Sequence, residues 1–239
     1  MGYMIDNTEL VRLNKHLKDL GICSRRQADQ FISDGLVLVN GLVVSDLGTK
    51  VNPKIDKVAT LQQVQKIISE WSYILLNKPE GYVCSKSKVD GKNIFELLPT
   101  IKNLTYAGRL DKDSHGLVIL SNDGKFVYSV AGSEFDQEKE YIVRIDKPVT
   151  EDYLRRQSNG SIMLDGKIVQ RAKTKQIGEN VYKITLKEGI NRQIRRMAEV
   201  CDAKVIDLTR IRIGNIQDYN LGLGKWRNLT PTEINFFKK

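Results

Sequence analysis

Several residue types are scarce in this chain of 239 residues, and each scarcity excludes a class of protein. The three cysteines, Cys23, Cys84 and Cys201, lie far apart, and with only two histidines they give neither a disulfide framework nor a zinc-binding spacing. Five prolines exclude a collagenous or low-complexity chain. No apolar run approaches the roughly 20 residues of a membrane-spanning helix, and we find no secretory signal. We therefore expect a soluble, cytoplasmic protein with reduced thiols, no bound metal and no membrane contact.

The charge balance is basic. Lys and Arg number 38 against 29 Asp and Glu, which gives a net charge of +9. Up to Ser72 there are 9 basic and 8 acidic residues, and after it there are 29 and 21, so most of the excess lies in the C-terminal part. Such a balance favours polyanionic partners, with nucleic acid ahead of an anionic membrane surface.

The first seventy residues have the pattern of a helix-helix-hairpin unit. Apolar spacing in VRLNKHLKDLGI predicts a helix that ends at Gly21. Ser24 and Gln27 form a capping-box pattern at the start of a second helix, which opens with two arginines. Asn40-Gly41, between two β-branched runs, is typical of a β-hairpin.

The remainder of the chain predicts a second domain, of the α+β class. Strand-like runs (YILLNKP, GLVILSN, EYIVRID, VYKITLK) alternate with helical stretches (NIFELLP, TEDYLRRQ, NRQIRRMAEV). This alternation fits a mixed, mostly antiparallel sheet flanked by helices and loops. A capping box at Thr230 predicts a short final helix, and Trp226 is expected in the core. We predict a small domain at residues 9–66, a linker at 67–72 and a larger domain at 73–239.

Two carboxylates, Asp111 and Asp113, stand on a predicted loop just ahead of a buried strand. A carboxylate there is well placed for catalysis, although a lone aspartate is more often a turn residue or an ion-pair partner. A pair of carboxylates also fits a glycosidase or nucleosidase, in which one is the acid and the other the nucleophile. The sequence spacing alone leaves these interpretations open.

The pattern at about residues 9 to 60 resembles the S-four RNA-binding domain, named for a ribosomal small-subunit protein. In that family the helix with paired arginines lies on RNA. The resemblance therefore implies that Arg25 and Arg26, together with Arg12 and Lys15, contact phosphate. The alternative is solvated charges in a first helical turn, a placement that the helix dipole slightly disfavours.

Four further signatures follow in one order: NKPEG at 77–81, GRLDKDSHGL at 108–117, KEYIV at 139–143 and GINRQIRRM at 189–197. Together they resemble the pseudouridine synthases, and in particular the RsuA-type branch, whose members carry an N-terminal S-four domain. GRLDKDS and EFDQEKEY most resemble the RluF type. The resemblance implies an isomerase that flips out one uridine of 23S rRNA, or of the pre-ribosomal large subunit, and converts it to pseudouridine. A tRNA is left open as a second substrate.

The same resemblance implies catalytic roles for Asp111, Tyr141 and Arg195. Moving the bond of the anomeric carbon from a ring nitrogen to a ring carbon involves no net oxidation or hydrolysis, so no cofactor or metal is expected. An ionised Asp111 serves both a covalent and an elimination route. A guanidinium opposite it, expected from Arg195, favours that state. Tyr141 is expected to stack on the flipped base, with core packing as the alternative.

Other basic residues are candidates for RNA contact. Lys78 belongs to the first signature, which is largely structural in the family. For Arg192 and Arg196 we favour a basic surface helix with RNA phosphate as counter-ion. A non-catalytic RNA-binding or ribosome-assembly protein, the main rival, leaves the GRLD, KEY and QIRR segments unexplained. We expect a monomer whose RNA-binding residues are Arg109, Arg25, Arg26, Lys15, Arg192, Arg196 and Lys78.

Overall fold

The structure, a computed structural model, describes residues 10–62, 64, 71–85, 87, 91–98 and 103–238. By its internal contacts the chain divides into two units, Met1–Ser72 with Ser121–Val127, and Tyr73–Leu120 with Tyr128–Lys239. Most of the predicted linker at 67–72 lies outside the described residues. No sequence signal indicated that Ser121–Val127 belongs with the N-terminal unit.

The N-terminal unit follows the predicted helix-helix-hairpin order. Strand β2 pairs antiparallel with both β3 and β5, and β1 pairs antiparallel with β4. The elements are β1 (Val11–Arg12), α1 (Leu13–Asp19), α2 (Arg25–Ser33), β2 (Val37–Val39), β3 (Leu42–Val44), β4 (Lys50–Val51) and β5 (Val58–Thr60).

Local signals account for these elements. The Gln27 backbone donates to Ser24 Oγ while the Gln27 side chain accepts from the Ser24 backbone, so the predicted capping box is confirmed. Gly21, with φ +76°, follows the end of α1. Asn40 and Gly41 both have positive φ, as the favoured two-residue hairpin turn requires. The helices and strands enclose a core of Leu13, Leu17, Cys23, Ala28, Phe31, Ile32, Val37, Val51 and Val64.

The C-terminal part of the chain is built on a mixed sheet, and the predicted α+β class is confirmed. Its strands and those of a small hairpin are β6 (Tyr73–Lys78), β7 (Thr105–Ala107), β8 (His115–Ser121), β9 (Lys139–Ile145), β10 (Met163–Leu164), β11 (Lys167–Ile168), β12 (Lys173–Gly178), β13 (Val181–Leu186), β14 (Val205–Ile213), β15 (Ile216–Gln217) and β16 (Trp226–Asn228). The helices are α3 (Gly124–Ala131), α4 (Glu151–Ser158), α5 (Gln193–Val200) and α6 (Pro231–Phe237).

The strand order places β9, β14 and β8 next to one another. Along the main path it is β12-β13-β9-β14-β8-β6-β16, with β7 on β8, β15 on β14, and β10 paired with β11 alone. Strand β14 runs antiparallel to β9 and parallel to β8. Alternation in β9 buries Tyr141, Val143 and Ile145 on one face. Strand β8 is buried almost throughout, as expected of a strand covered on both faces.

Four sequence predictions in this part of the chain need correction. NIFELLP, expected to be helical, forms only a 3-10 turn at Ile94–Leu97. Asn122-Asp123-Gly124, expected as a turn, begins α3, because Asp123 Oδ1 accepts from the backbone N–H groups of Lys125 and Phe126. Trp226, expected in the core, is 36% exposed on β16 at the end of the sheet order. Two of the longer strands, β12 and β14, were not predicted from the sequence pattern. By contrast, the cap at Thr230, with Pro231 in the first turn, is confirmed.

Candidate active site

The loop that carries Asp111 lies between β7 and β8 and is held by the NKPEG segment. The Lys78 ammonium donates to the carbonyl oxygens of Ser114, at 2.5 Å, and Pro79, at 3.0 Å. The Gly81 backbone N–H donates to the Lys112 carbonyl at 2.8 Å. Because Lys78 is 0% exposed, it is not the RNA contact proposed from the sequence. Its charge instead neutralises backbone dipoles beneath the loop, and burial, only partly offset by nearby acidic groups, lowers its pKa.

Arg195 supports the same loop from the opposite side. It projects from α5 and is 8% exposed. Its Nη2 donates to the Asp113 carbonyl at 2.6 Å and to Ser114 Oγ at 3.3 Å, and its Nε lies 3.3 Å from Asp113 Oδ2. Its Nη1 donates to the Val205 carbonyl. The expected pairing of Arg195 with Asp111 is therefore corrected, because the guanidinium is used on Asp113, Ser114 and Val205.

Arg192 is the arginine that faces Asp111. It precedes α5 with φ +50°, a left-handed backbone that a residue other than glycine seldom adopts. Its Nη1 and Nη2 donate to the two carboxylate oxygens of Asp113 at 3.1 and 3.0 Å, and Nη1 lies 3.9 Å from Asp111 Oδ2. Arg192 thus has protein counter-ions, and the surface-helix interpretation with RNA phosphate as its partner does not describe it.

These contacts fix the charge of Asp113. Burial alone would raise the pKa of Asp113, but the hydrogen bond from Arg192 and the positive charges of Arg195 and Arg192 outweigh it and hold that pKa below its ordinary value. The hydrogen bond to Asp113 in turn raises the pKa of Arg192. Asp113 is therefore an ionised bridge between two arginines, a role that the sequence did not reveal.

Arg196 lies outside this cluster. Its Nη1 and Nη2 donate to the carboxylate of Asp165 at 2.9 and 2.7 Å. The hydrogen bond from Arg196 lowers the pKa of Asp165. The counter-ion expected from RNA is thus supplied by the protein, in a surface pair of small energetic weight.

A cavity of about 260 Å³ opens beside Asp111. Asp111 and Arg109 come from the loop, Tyr141 from β9 and Arg192 from the residue before α5. Tyr141 is almost fully buried and stands directly opposite Arg210 of β14 in the strand register, so the two share one face of the sheet. The lining is Gly108, Arg109, Leu110, Asp111, Ser114, Ala131, Lys139, Tyr141, Leu186, Lys187, Glu188, Gly189, Ile190, Asn191, Arg192, Gln193, Ile194, Leu208 and Arg210.

Sequence reasoning missed three cations of this cavity, Lys139, Lys187 and Arg210. Lys139 is the first residue of the KEYIV signature, and burial, with the charge of Arg210, lowers its pKa. Arg210 is positioned by a close approach of β14 to β8, since a Cβ on Gly116 would lie 2.3 Å from the Arg210 carbonyl oxygen. Gly116 also has φ +112°, which strongly favours glycine. The alternation of β-branched residues in VIDLTRIRI was the available signal for this strand.

The four basic residues predicted to lie on RNA have a different setting. Arg12, Lys15, Arg25 and Arg26 are all exposed in the N-terminal unit. Within the part of the chain that the structure describes, none of them forms an ion pair or a side-chain hydrogen bond. They are thus accessible to an anionic ligand.

Three further features bear on the remaining sequence predictions. The three cysteines are buried and free, as expected. Among the described residues, no three His, Cys, Asp or Glu side chains are grouped as a metal site. No helix in these same ranges has the length and apolarity to cross a bilayer.

Comparisons with known proteins identify the family of the chain. The family model described as RNA pseudouridylate synthase matches residues 72–200, and the S4 model, our S-four domain, matches residues 11–54. The dual-specificity RNA pseudouridine synthase RluF of Escherichia coli (strain K12) is 40% identical over 230 residues, which cover 95% of this chain and 79% of that protein. The ribosomal large subunit pseudouridine synthase B of Bacillus subtilis (strain 168) is 32% identical over 93% of each chain.

A solved structure extends the agreement to three dimensions. A crystal structure of a pseudouridylate synthase superposes with a TM-score of 0.70 and 31% identity, covering 95% of this chain and 99% of that one. The chain belongs to the RNA pseudouridylate synthase family, and it is an RNA-modifying isomerase with an S-four RNA-binding domain.

Proposed function

We propose that this isomerase converts one specific uridine of 23S rRNA, free or within the pre-ribosomal large subunit, to pseudouridine in the cytoplasm. The observation that carries the proposal is the 40% identity to RluF, which extends over 95% of the chain and so includes both domains. The Bacillus subtilis relative, named for the large ribosomal subunit, supports the same target class. Because RluF is named dual-specificity, a tRNA is proposed as a second substrate.

Asp111 is proposed as the catalytic carboxylate. It is partly exposed at the cavity, so it can reach a ribose, and the Arg192 guanidinium lies nearby as a counter-charge. In a covalent route the carboxylate attacks the anomeric carbon, and in an elimination route it removes a ribose proton. Both routes release the uracil from its ring nitrogen and rejoin it through a ring carbon. Neither route requires a metal or a cofactor.

Tyr141 is proposed to hold the flipped base. A uridine turned out of an RNA stem loses its stacking on neighbouring bases, and an aromatic side chain replaces it at roughly 1–3 kcal/mol per base. Tyr141 lines the cavity from β9 and is fixed by core packing around it. The phenol oxygen is also proposed to relay the proton that leaves the ring carbon after the bond is re-formed, accepting that proton while it releases its own to water.

The arginines have separate proposed roles. Arg195 is a positioning residue, which acts on Asp111 by holding the Asp113–Ser114 end of the loop. Arg192 provides the nearest positive charge to Asp111. Arg109 is exposed at the rim of the cavity and is proposed to contact the RNA backbone.

The division of labour between domains is also a proposal. Residues 9–66 would form the RNA-binding domain, which uses Arg25, Arg26 and Lys15, and residues 73–239 would form the catalytic domain. A monomer is proposed as the active form.

The decisive experiment is to map pseudouridine in rRNA and tRNA from cells with and without this gene. We expect one 23S rRNA site to lose its pseudouridine and to regain it when the wild-type gene is supplied, but not when the gene carries Asp111→Asn. A matched control is Asp152→Asn, which removes a carboxylate from an exposed surface pair. Loss of a site in 16S rRNA with an unchanged 23S pattern would refute the target proposal.

A further inference from the structure

Arg210 has a buried donor that the protein does not use. The side chain is 2% exposed, yet it lines the cavity at Asp111. Its Nε donates to the Leu117 carbonyl at 2.7 Å, and its Nη1 donates to the Arg109 carbonyl at 3.3 Å. Its Nη2 is buried and has no hydrogen-bond partner in the described part of the chain. A buried donor without a partner is uncommon in folded proteins, and a bound ligand is one of its ordinary explanations.

Two lysines, Lys139 and Lys78, feel the charge of Arg210, and the carboxylates of Asp111 and Glu188 also line the cavity. Lys139 lines the same cavity, and the charge of Arg210 is one reason why the pKa of Lys139 is lowered, after burial. Lys78 also feels the charge of Arg210, and burial is the main cause of its lowered pKa. No carboxylate within the described ranges forms an ion pair with Arg210. The cavity therefore presents a desolvated positive charge on the face that also carries Tyr141.

We infer that Arg210 is a catalytic residue that binds a carbonyl oxygen of the flipped uracil and stabilises the negative charge that develops when the base is released. The inference rests on the proposed function in one respect, that the substrate uridine enters this cavity. When the bond from N1 to C1′ breaks, its electron pair stays on the uracil and is shared by O2 and O4. A bond then forms from C5 to C1′, the C5 proton leaves, and N1 gains a proton.

The geometry favours this role because the donor is fixed before the reaction. Two hydrogen bonds to backbone carbonyl oxygens hold the guanidinium. The close approach of β14 to Gly116 fixes the position of the strand that carries Arg210. A preorganised donor in a site without water stabilises a developing anion more strongly than a donor in solution does. Because Tyr141 lies opposite Arg210 in the strand register, a uracil ring stacked on Tyr141 would lie next to Arg210.

Two other roles of Arg210 make different predictions. A purely structural arginine would hold the Arg109 carbonyl and thus the Asp111 loop, and its loss would slow every substrate equally. A phosphate-binding arginine would act on RNA affinity, and the effect of its loss would depend on salt.

The experiment combines a variant with altered substrates. Arg210→Lys keeps a positive charge but loses the fixed guanidinium fork, and Arg212→Lys is the matched control on the same strand, since Arg212 pairs with Glu138 and Glu140. Single-turnover rates at saturating enzyme are measured on RNA with uridine, 2-thiouridine or 4-thiouridine at the target position. Sulfur is a weaker acceptor but makes the ring a better leaving anion, so a slower reaction reports a lost hydrogen bond.

We expect Arg210→Lys to lower the rate on uridine by roughly 10²–10³-fold, the usual effect of removing one such donor, while RNA affinity changes little. The melting temperature should also fall, because the Leu117 and Arg109 carbonyls lose their donors. In the wild type and in Arg212→Lys, one of the two thio-substituted RNAs should react several-fold more slowly than the uridine RNA. In Arg210→Lys that sensitivity to sulfur should disappear.

Three results would overturn the inference. They are an unchanged thio effect in Arg210→Lys, wild-type rates that neither sulfur lowers, and a loss confined to affinity and relieved by low salt. If the variant unfolds, wild-type rates that neither sulfur lowers would still refute the inference. A wild type that modifies only another RNA would refute the 23S rRNA proposal without affecting this test, which would then use that RNA.

Discussion

Two groups of arginines in this molecule have opposite surroundings. Arg25 and Arg26 are exposed at the start of α2 and form no ion pair within the described residues. Arg192 and Arg195 both contact the one carboxylate of Asp113. Under the proposed function, the first pair would exchange its counter-ions for RNA phosphate, whereas the second pair contacts the protein itself. The same type of side chain is thus proposed to serve RNA affinity in one region and loop geometry in the other.

This difference also has an energetic side. An exposed arginine contributes little to folding, because water and salt screen its charge. Removing the buried Arg195 leaves the carbonyl oxygens of Asp113 and Val205 without their donor, which is costly, whereas the Arg192–Asp113 pair is partly exposed and screened by water. Substitutions in the two regions should therefore separate into effects on RNA binding and effects on the chemical step.

The largest effect is expected at Asp111, the carboxylate that Arg192 faces. Asp111→Asn keeps the shape of the side chain but removes its charge and basicity, and the rate loss should reach at least the upper part of the roughly 10²–10⁴-fold range typical of a proton-transfer group. RNA affinity should stay within a few fold. Single-turnover pseudouridine formation and filter binding measure the two quantities. Substantial remaining activity would mean that Asp111 is not the catalytic carboxylate.

A second, smaller effect is expected at Arg195, one of the two arginines that contact Asp113. Arg195→Ala removes the support of the Asp113–Ser114 backbone, and we expect a loss of about 10²-fold, comparable to misplacing a catalytic group by about 1 Å. Arg196→Ala breaks only a surface pair with Asp165 and should stay within about threefold. The single-turnover rate at saturating enzyme is the measurement. Equal losses that low salt relieves would assign both arginines to phosphate contacts.

Arg25 and Arg26, which form no ion pair within the described residues, should affect how RNA affinity depends on salt. Each phosphate neutralised on single-stranded RNA contributes a slope of roughly −0.7 to the plot of log affinity against log salt. Replacing both Arg25 and Arg26 by alanine should therefore flatten that slope by about one to two units. The rate at saturating enzyme should not change. An unchanged slope would remove these arginines from the RNA interface.

The smallest effect is expected in the way the thermal midpoint depends on acid pH. It should be seen at Asp113, which pairs with Arg192 and Arg195, and not at Arg26. The pKa of Asp113 in the folded protein is below its unfolded value, so its ion pairs stabilise the fold above the unfolded pKa, and this contribution is lost as pH falls through the folded value. We expect Asp113→Asn to weaken the acid dependence of the thermal midpoint below about pH 5. Arg26→Ala should leave it unchanged. Identical acid profiles for the wild type and Asp113→Asn would contradict this linkage.

Local features were predictable from the sequence because they depend on neighbouring residues. The capping boxes at Ser24 and Thr230 and the hairpin turn at Asn40-Gly41 all formed as expected. The cavity residues Asp111 and Tyr141 came from family signatures, and the structure brings them to one cavity.

The partners of the arginines were not predictable, because backbone direction decides them. The positive φ of Arg192 turns its side chain toward Asp113 and Asp111, while Arg195, on the first turn of α5, reaches the loop backbone. No spacing rule in QIRR anticipates a left-handed residue before the helix. Arg210 was missed for another reason, since a charged residue in a buried strand interrupts the apolar pattern by which strands are identified.

The burial of Lys78 gives this enzyme a chemical reporter of its own loop. An ammonium that donates to two carbonyl oxygens and has no exposed surface cannot react with an acylating reagent until the contact with Ser114 opens. Its labelling rate, measured by mass spectrometry beside that of exposed lysines such as Lys112, therefore reports how often the loop of Asp111 opens. Substrate RNA that closes over the loop would slow the labelling of Lys78, and the catalytic loop could be followed without a change to the sequence.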